Sequence, residues 1–221
     1  MKKMMLTVAL FVATFSAVEA QKINLGKAVS AASKGAQALA FSNEDAKKLS
    51  KESVEWMDKH NPVTDSKSAY TKRLNRLFGK HKSEDGLDLN YKVYHVVDIN
   101  AFACADGSVR VFSSLMDLMT DDELLAIIGH EIGHVKNEDT KDAIKSAYLR
   151  AAAQDAAGAA SGVVRALSDS ELGEMANAML DAKHSKKQES QADEYAYNFM
   201  KKHGYNVVAV YTAFKKMALL S

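Results

Sequence analysis

Apolar positions recur at helical spacing through the first third of the chain, alternate in its middle, and return to helical spacing for the remainder. Ser42-Asn43-Glu44-Asp45 has the form of a helix start, and Leu49, Val54, Trp56 and Met57 supply the apolar stripe behind it. Pro62, the only proline, follows Asn61 and ends that helix. A second helix is predicted to open at Asp65, carrying Tyr70, Leu74, Leu77 and Phe78, with Gly79 and Gly86 bracketing its exit. From Asn90 to Asp98 and from Ser108 to Ser114 the residues are β-branched, aromatic and partly alternating. With Asp106-Gly107 as a turn, these predict a hairpin or neighbouring strands of a small antiparallel sheet. His95, in the first of them, has no partner at ligand spacing and is assigned to structure or surface. Thr120-Asp121-Asp122-Glu123 then forms a capping box, opening a helix whose Leu124, Leu125, Ile127, Ile128 and Ile132 mark it as buried.

This order of elements predicts an α+β fold, mainly helical, with the small sheet packed beside the helix that follows Thr120. Residues 141–168 are alanine-rich, with Gly158 and Gly162 among small side chains. Their uncharged run, Ala156 to Val164, is too short to span a bilayer, so close helix packing is expected. His184 to Gln191 reads as a polar helix face, and no internal repeat is evident.

At the amino end, Met1-Lys2-Lys3, an apolar run from Met4 to Phe15 and Ala17-Val18-Glu19-Ala20 have the layout of a secretory leader, with cleavage expected after Ala20. The run falls short of the roughly 20 residues of a membrane-spanning helix, and no cysteine near the cut offers a lipid attachment point. The expected organisation is a leader over 1–20, a helical segment over 21–83 and a core over 84–221. The chain carries a formal charge of +1, and loss of Lys2, Lys3 and Glu19 with the leader makes it neutral, which argues against a nucleic-acid partner. Cys104 is the only cysteine. An exported chain without a disulfide must be held by packing or by a metal, and Cys104 is expected to be a small buried apolar residue.

The buried helix contains His130-Glu131-Ile132-Gly133-His134. Four residues advance a helix by about 400°, so both imidazoles project from one side and can grip one ion. Glu131 points about 100° away and can reach a water on that ion without ligating it. A catalytic zinc site needs a third protein ligand and an open position for water. Downstream, Glu189 and Asp193 also lie four apart. Glu189 is the candidate third ligand, and Asp193 the candidate acceptor for the second ring N–H of one histidine. A His-Glu cluster without metal is the alternative, but burying those groups without a cation is costly.

These segments resemble the HtpX-like and prenyl-protein-processing zinc metallopeptidases, a gluzincin family, and especially its exported bacterial branch. The stretches NYKVYHVVDINAFACADGSVRVFSSLMDLMTDDELLAIIGHEIGHV and QESQADEYAY carry the likeness, which extends over most of the mature chain. It implies a zincin-like metalloprotease domain holding one Zn2+ through His130, His134 and Glu189, with Glu131 as general base. It also implies that Ile99 to Ala103 forms the substrate-side edge, where Asn100 and Ala101 would meet an extended peptide.

Two departures stand out. Glu138 occupies a position where many relatives carry a further histidine, and the chain stops at Ser221 before a His-Pro and Arg segment thought to assist at the active site. Either the sequence is truncated or that support comes from elsewhere, with His203 and Tyr205 as candidate substitutes. The function expected is zinc-dependent endopeptidase action on misfolded or envelope polypeptides in the periplasm, without a transmembrane helix in the mature chain. The alternative is a periplasmic chaperone or adaptor with a structural zinc.

Overall fold

The computed structural model of the chain describes residues 41–154 and 167–219. The expected leader, the stretch 21–40 and the Ala156 to Val164 run lie outside the described residues. Helix α1 (Asn43–His60) starts where predicted, with Ser42 and Asp45 exchanging hydrogen bonds in a capping box, and ends at Asn61. Helix α2 (Ala69–Phe78) starts later than the predicted Asp65. The Asp65 carboxylate instead accepts from the amides of Lys67 and Ser68, both at 2.9 Å, closing a turn that delays the helix until Ser68 can cap it.

A small antiparallel pair, β1 (Ser83–Glu84) and β2 (Leu87–Asp88), precedes a three-stranded sheet of β3 (Asn90–Tyr94), β4 (Ala101–Ala103) and β5 (Ser108–Phe112). Its order is β3-β5-β4. The two strands read from the sequence are neighbours, as expected, but they run parallel, with Asn90 opposite Ser108 and Tyr94 opposite Phe112. The expected hairpin between them is therefore corrected: the intervening stretch holds a third strand, β4, which takes the antiparallel place beside β5. Asp106-Gly107 closes the β4–β5 hairpin, the Gly107 amide donating to Cys104 O at 2.8 Å. Gly107 has φ +86°, and a Cβ there would sit 1.8 Å from Asp88 O, so no other residue fits this turn.

Among the described residues six helices follow the sheet: α3 (Ser113–Leu118), α4 (Asp121–Lys136), α5 (Asp139–Gln154), α6 (Asp169–Leu180), α7 (Lys186–Lys202) and α8 (Val208–Ala218). Helix α4 is buried on nearly every side. Its Leu124, Leu125, Ile128 and Ile132 join Val93, Val109 and Val111 of the sheet, Leu74, Leu77 and Phe78 of α2, and Phe199 and Met200 of α7 in one apolar cluster. Helix α2, from the predicted amino-terminal helical segment, thus contributes directly to the core around α4. Each such side chain contributes about 1.5–3 kcal/mol when fully buried, so α4 is held rigidly. Helix α1 packs through Leu49 on Ile144 of α5 and Met175 of α6. A buried Arg110–Asp58 pair, at 2.8 and 3.0 Å, ties it to β5. Cys104 is buried, and burial pushes its thiol well above its usual pKa. Among the described residues no helix is long and apolar enough to cross a membrane.

Candidate metal centre

Helix α4 carries the His-Glu-x-x-His segment, and its start is fixed by two reciprocal bonds: Thr120 Oγ1 accepts from the Glu123 amide and Glu123 accepts from the Thr120 amide at 2.9 Å. Glu123 also receives Lys216 of α8 at 2.6 Å. Helix α7 lies against α4 at unusually close range because glycines face alanines. A Cβ at Gly133 would meet Ala192 Cα at 3.1 Å and Tyr195 Cβ at 3.0 Å, and one at Gly129 would meet Phe199 Cδ1 at 3.1 Å. That proximity brings the first turn of α7 over the two histidines.

There, His130 Nε2 and His134 Nε2 are 3.0 Å apart, and the Glu189 carboxylate oxygens lie 3.5 Å from the first and 3.7 Å from the second. Behind them, His130 Nδ1 donates to Asp193 Oδ1 at 3.0 Å, and His134 Nδ1 donates to Asp139 Oδ2 at 2.9 Å. With each Nδ1 carrying the proton toward a carboxylate, each Nε2 presents a lone pair. Two imidazole lone pairs and a carboxylate then face one point with no hydrogen between them. Such a set is repulsive on its own and could hold a cation, and nitrogen and oxygen donors of this kind suit zinc. Burial, above all, lowers the pKa of His130, the direction that favours the neutral imidazole a ligand needs.

Glu131 lines the same cleft, of about 240 Å³, with Asn100, Phe102 and His184. Burial, with the Glu189 charge adding to it, lifts the Glu131 carboxyl to about 8. Beside it runs β4, the outer strand of the sheet. Phe112 N donates to Asn100 O at 3.0 Å and Cys104 N donates to Ser108 O at 2.9 Å. By alternation, the peptide groups of Ala101 and Ala103 point to the open edge. The Asn100 side chain accepts from the Ala101 amide at 2.9 Å.

His203 and Tyr205, considered above as active-site substitutes, lie elsewhere. His203 is about 20 Å from Glu189 along α7 and bonds Glu84 at 3.0 Å. Tyr205 Oη bonds His81 Nε2 at 2.7 Å, while His81 Nδ1 faces Glu84 at 3.1 Å. Glu84 further accepts from Lys202 at 2.5 Å. His81, Glu84 and His203 could also surround an ion, yet here every polar contact has a donor and an acceptor, so the cluster is complete as a tie between β1 and the end of α7.

Two residues of the site escaped the sequence reading. Asp139 sits just past α4, where Glu138 adopts φ +63° and turns the chain so that α5 begins with a carboxylate aimed back at His134. Its other oxygen accepts from Gln188 of α7 at 2.8 Å. His184, in the loop before α7, stacks on His134 with ring centroids 3.9 Å apart and planes inclined by 19°. A carboxylate five residues after the second histidine was the only hint of the former, and nothing in the local pattern marks the latter.

Residues 71–221 match peptidase family M48. The chain is 37% identical over 199 residues to Metalloprotease YcaL of Escherichia coli K12, spanning 90% of this chain and 78% of that protein. It is 36% identical over 221 residues to Metalloprotease LoiP of the same organism, spanning 100% of this chain and 87% of that protein. A 51-residue stretch is 43% identical to Protease HtpX of Actinobacillus pleuropneumoniae, spanning 21% and 18% of the two chains.

Proposed function

The chain belongs to peptidase family M48, and on that premise we propose that it is a zinc-dependent endopeptidase, holding one Zn2+ through His130, His134 and Glu189 and acting on misfolded or envelope polypeptides in the periplasm. One observation supports this above all others: the two Nε2 atoms, 3.0 Å apart, and the Glu189 carboxylate, 3.5 and 3.7 Å from them, converge on one point, while Asp193 and Asp139 occupy both Nδ1 positions. When bound there, zinc supplies Lewis-acid polarisation of the scissile carbonyl and acidifies the attacking water.

The chain's own groups do the remainder. Glu131 takes a proton from that water and returns it to the leaving nitrogen, a general acid–base role worth about a hundred- to ten-thousand-fold. Its carboxyl is lifted by burial, and a cation held by the neighbouring imidazoles would lower it toward the ionised form that a base needs. The open edge of β4 accepts an extended peptide as an added strand, with the Ala101 and Ala103 peptide groups as hydrogen-bonding partners. Asn100 already holds the Ala101 amide, so its side chain swings aside, or stays as a cap, according to how far the peptide extends. The export reading rests on the leader-like pattern ending at Ala20.

Zinc quantification on the purified chain, together with casein cleavage with and without chelator, tests the reading. It expects one zinc per chain and cleavage that chelation abolishes and zinc restores. Cleavage indifferent to chelation would overturn it, and tightly held zinc without cleavage would favour the adaptor alternative. Cell fractionation that left the chain in the cytoplasm would defeat the periplasmic assignment.

A further inference from the structure

His184 is a half-buried imidazole on the wall of the cleft, and it also borders a second cavity of about 640 Å³ bounded by α5 and the start of α7. Among the described residues neither of its ring nitrogens has a hydrogen-bond partner, and its ring stacks on His134. Asp139, which together with His134 and His184 could surround an ion, has both carboxylate oxygens engaged by His134 and Gln188. That leaves His184 as the one free donor there, too few to hold a second ion.

The imidazole is nonetheless held firmly. Ser185, the next residue, caps α7: its amide donates to Gln188 Oε1 at 2.9 Å and its hydroxyl accepts from the Gln188 amide at 3.3 Å. Gln188 donates in turn to Asp139, and Asp139 accepts from His134, on whose face His184 lies. The circuit His134–Asp139–Gln188–Ser185–His184 closes on itself. A ring held on one face by His134 and at its backbone by the cap of α7, with its polar atoms unspent, is preorganised for a ligand that is absent from the free protein.

Building on the metallopeptidase reading, we propose that His184 is a catalytic residue: its unpartnered ring N–H donates to the carbonyl oxygen of the scissile peptide bond as that oxygen gains negative charge. The proton stays on the imidazole throughout, so the step adds a hydrogen bond and moves no atom. It complements Glu131, which handles the protons of water and leaving nitrogen from within α4. Because the bond strengthens as charge develops, its loss should appear in turnover and leave ground-state substrate binding largely intact.

The test compares wild type with His184→Phe, which keeps a flat ring against His134 and removes the N–H, and with His184→Gln, which restores an N–H donor without the imidazole. Steady-state cleavage of a quenched-fluorescent peptide, the zinc dissociation constant, and the affinity for a phosphinic peptide mimicking the tetrahedral oxygen are measured for each. For His184→Phe we expect kcat and phosphinic-peptide affinity to fall about 100-fold, with KM and zinc affinity near wild type, and for His184→Gln a partial recovery of kcat. Wild-type kcat and inhibitor affinity in His184→Phe would overturn the proposal and leave the ring as a stacking support only. Loss of zinc in step with activity would overturn it too, by making His184 a prop for His134. A wild-type chain that holds zinc but cleaves no polypeptide would instead bring down the peptidase reading beneath it.

Discussion

Two imidazoles one helical turn apart can bind an ion only if their protons are elsewhere, and here two aspartates from different elements see to that. Asp193 was legible because four-residue spacing on α7 puts it one turn beyond Glu189, on the same face. Asp139 was not, because its direction depends on the left-handed backbone of Glu138, which no helical periodicity encodes. Their roles can be separated by substitution. In Asp139→Asn, the side-chain amide can turn its N–H₂ toward His134 Nδ1 and drive the proton to Nε2, where the ion would sit. Zinc affinity should fall about 10–100-fold, measured by competition with a chromophoric chelator; unchanged affinity would show that this carboxylate does not set the tautomer. Glu131→Gln and Glu189→Ala should divide the labour differently. The first should lose at least about a hundredfold in turnover while keeping its zinc, and the second should lose zinc itself. Full turnover in the former, or one firmly held zinc in the latter, would contradict the roles assigned to them.

At the scale of elements, the site exists because α4 and α7 approach closely. Gly129 and Gly133 are four apart, facing Ala192 and Ala196, so the same spacing that aligns the histidines on one side of α4 aligns two missing side chains on another. A glycine inside a helix costs about 1 kcal/mol relative to alanine, so Gly133→Ala on an unpacked face would stabilise. Here the added methyl meets the backbone of Ala192, which cannot yield, and α7 must shift, carrying Glu189 with it. We expect zinc affinity to drop on the order of tenfold, while Gly129→Ala, whose nearest neighbour is the movable ring of Phe199, does less. Equal zinc affinity in both variants and wild type would remove close approach as the cause. The helices themselves were readable from caps and stripes, as the reciprocal bonds at Ser42 and Thr120 illustrate. Strand sense was not: alternation identifies a strand and its faces, whereas β3 and β5 run parallel because three further residues, Ala101–Ala103, pair beside β5. A strand that short carries too little pattern to stand out from a loop.

For the whole molecule, one carboxylate adds a polar tie between the start of the site helix and α8, beside the apolar packing of Ala209 and Ala213. Glu123 caps α4 and receives Lys216 from α8. Burial alone would raise its pKa, but Lys216 and the Thr120 amide outweigh that and bring it from 4.5 to about 2. A carboxylate more acidic in the folded chain than in the unfolded one contributes stability that is complete above the unfolded value of 4.5 and fades as pH falls toward about 2. Glu123→Gln isolates this contribution, because glutamine at the third helical position still closes a capping box and only the charge is lost. Thermal melts in chelator, so that histidine protonation and loss of the ion weigh equally on both proteins, should show wild type more stable than Glu123→Gln near neutrality. The gap should shrink progressively below pH 4.5. A gap that stayed constant down to pH about 2 would mean that packing of the side chain, and not its charge, holds α8 to the start of α4.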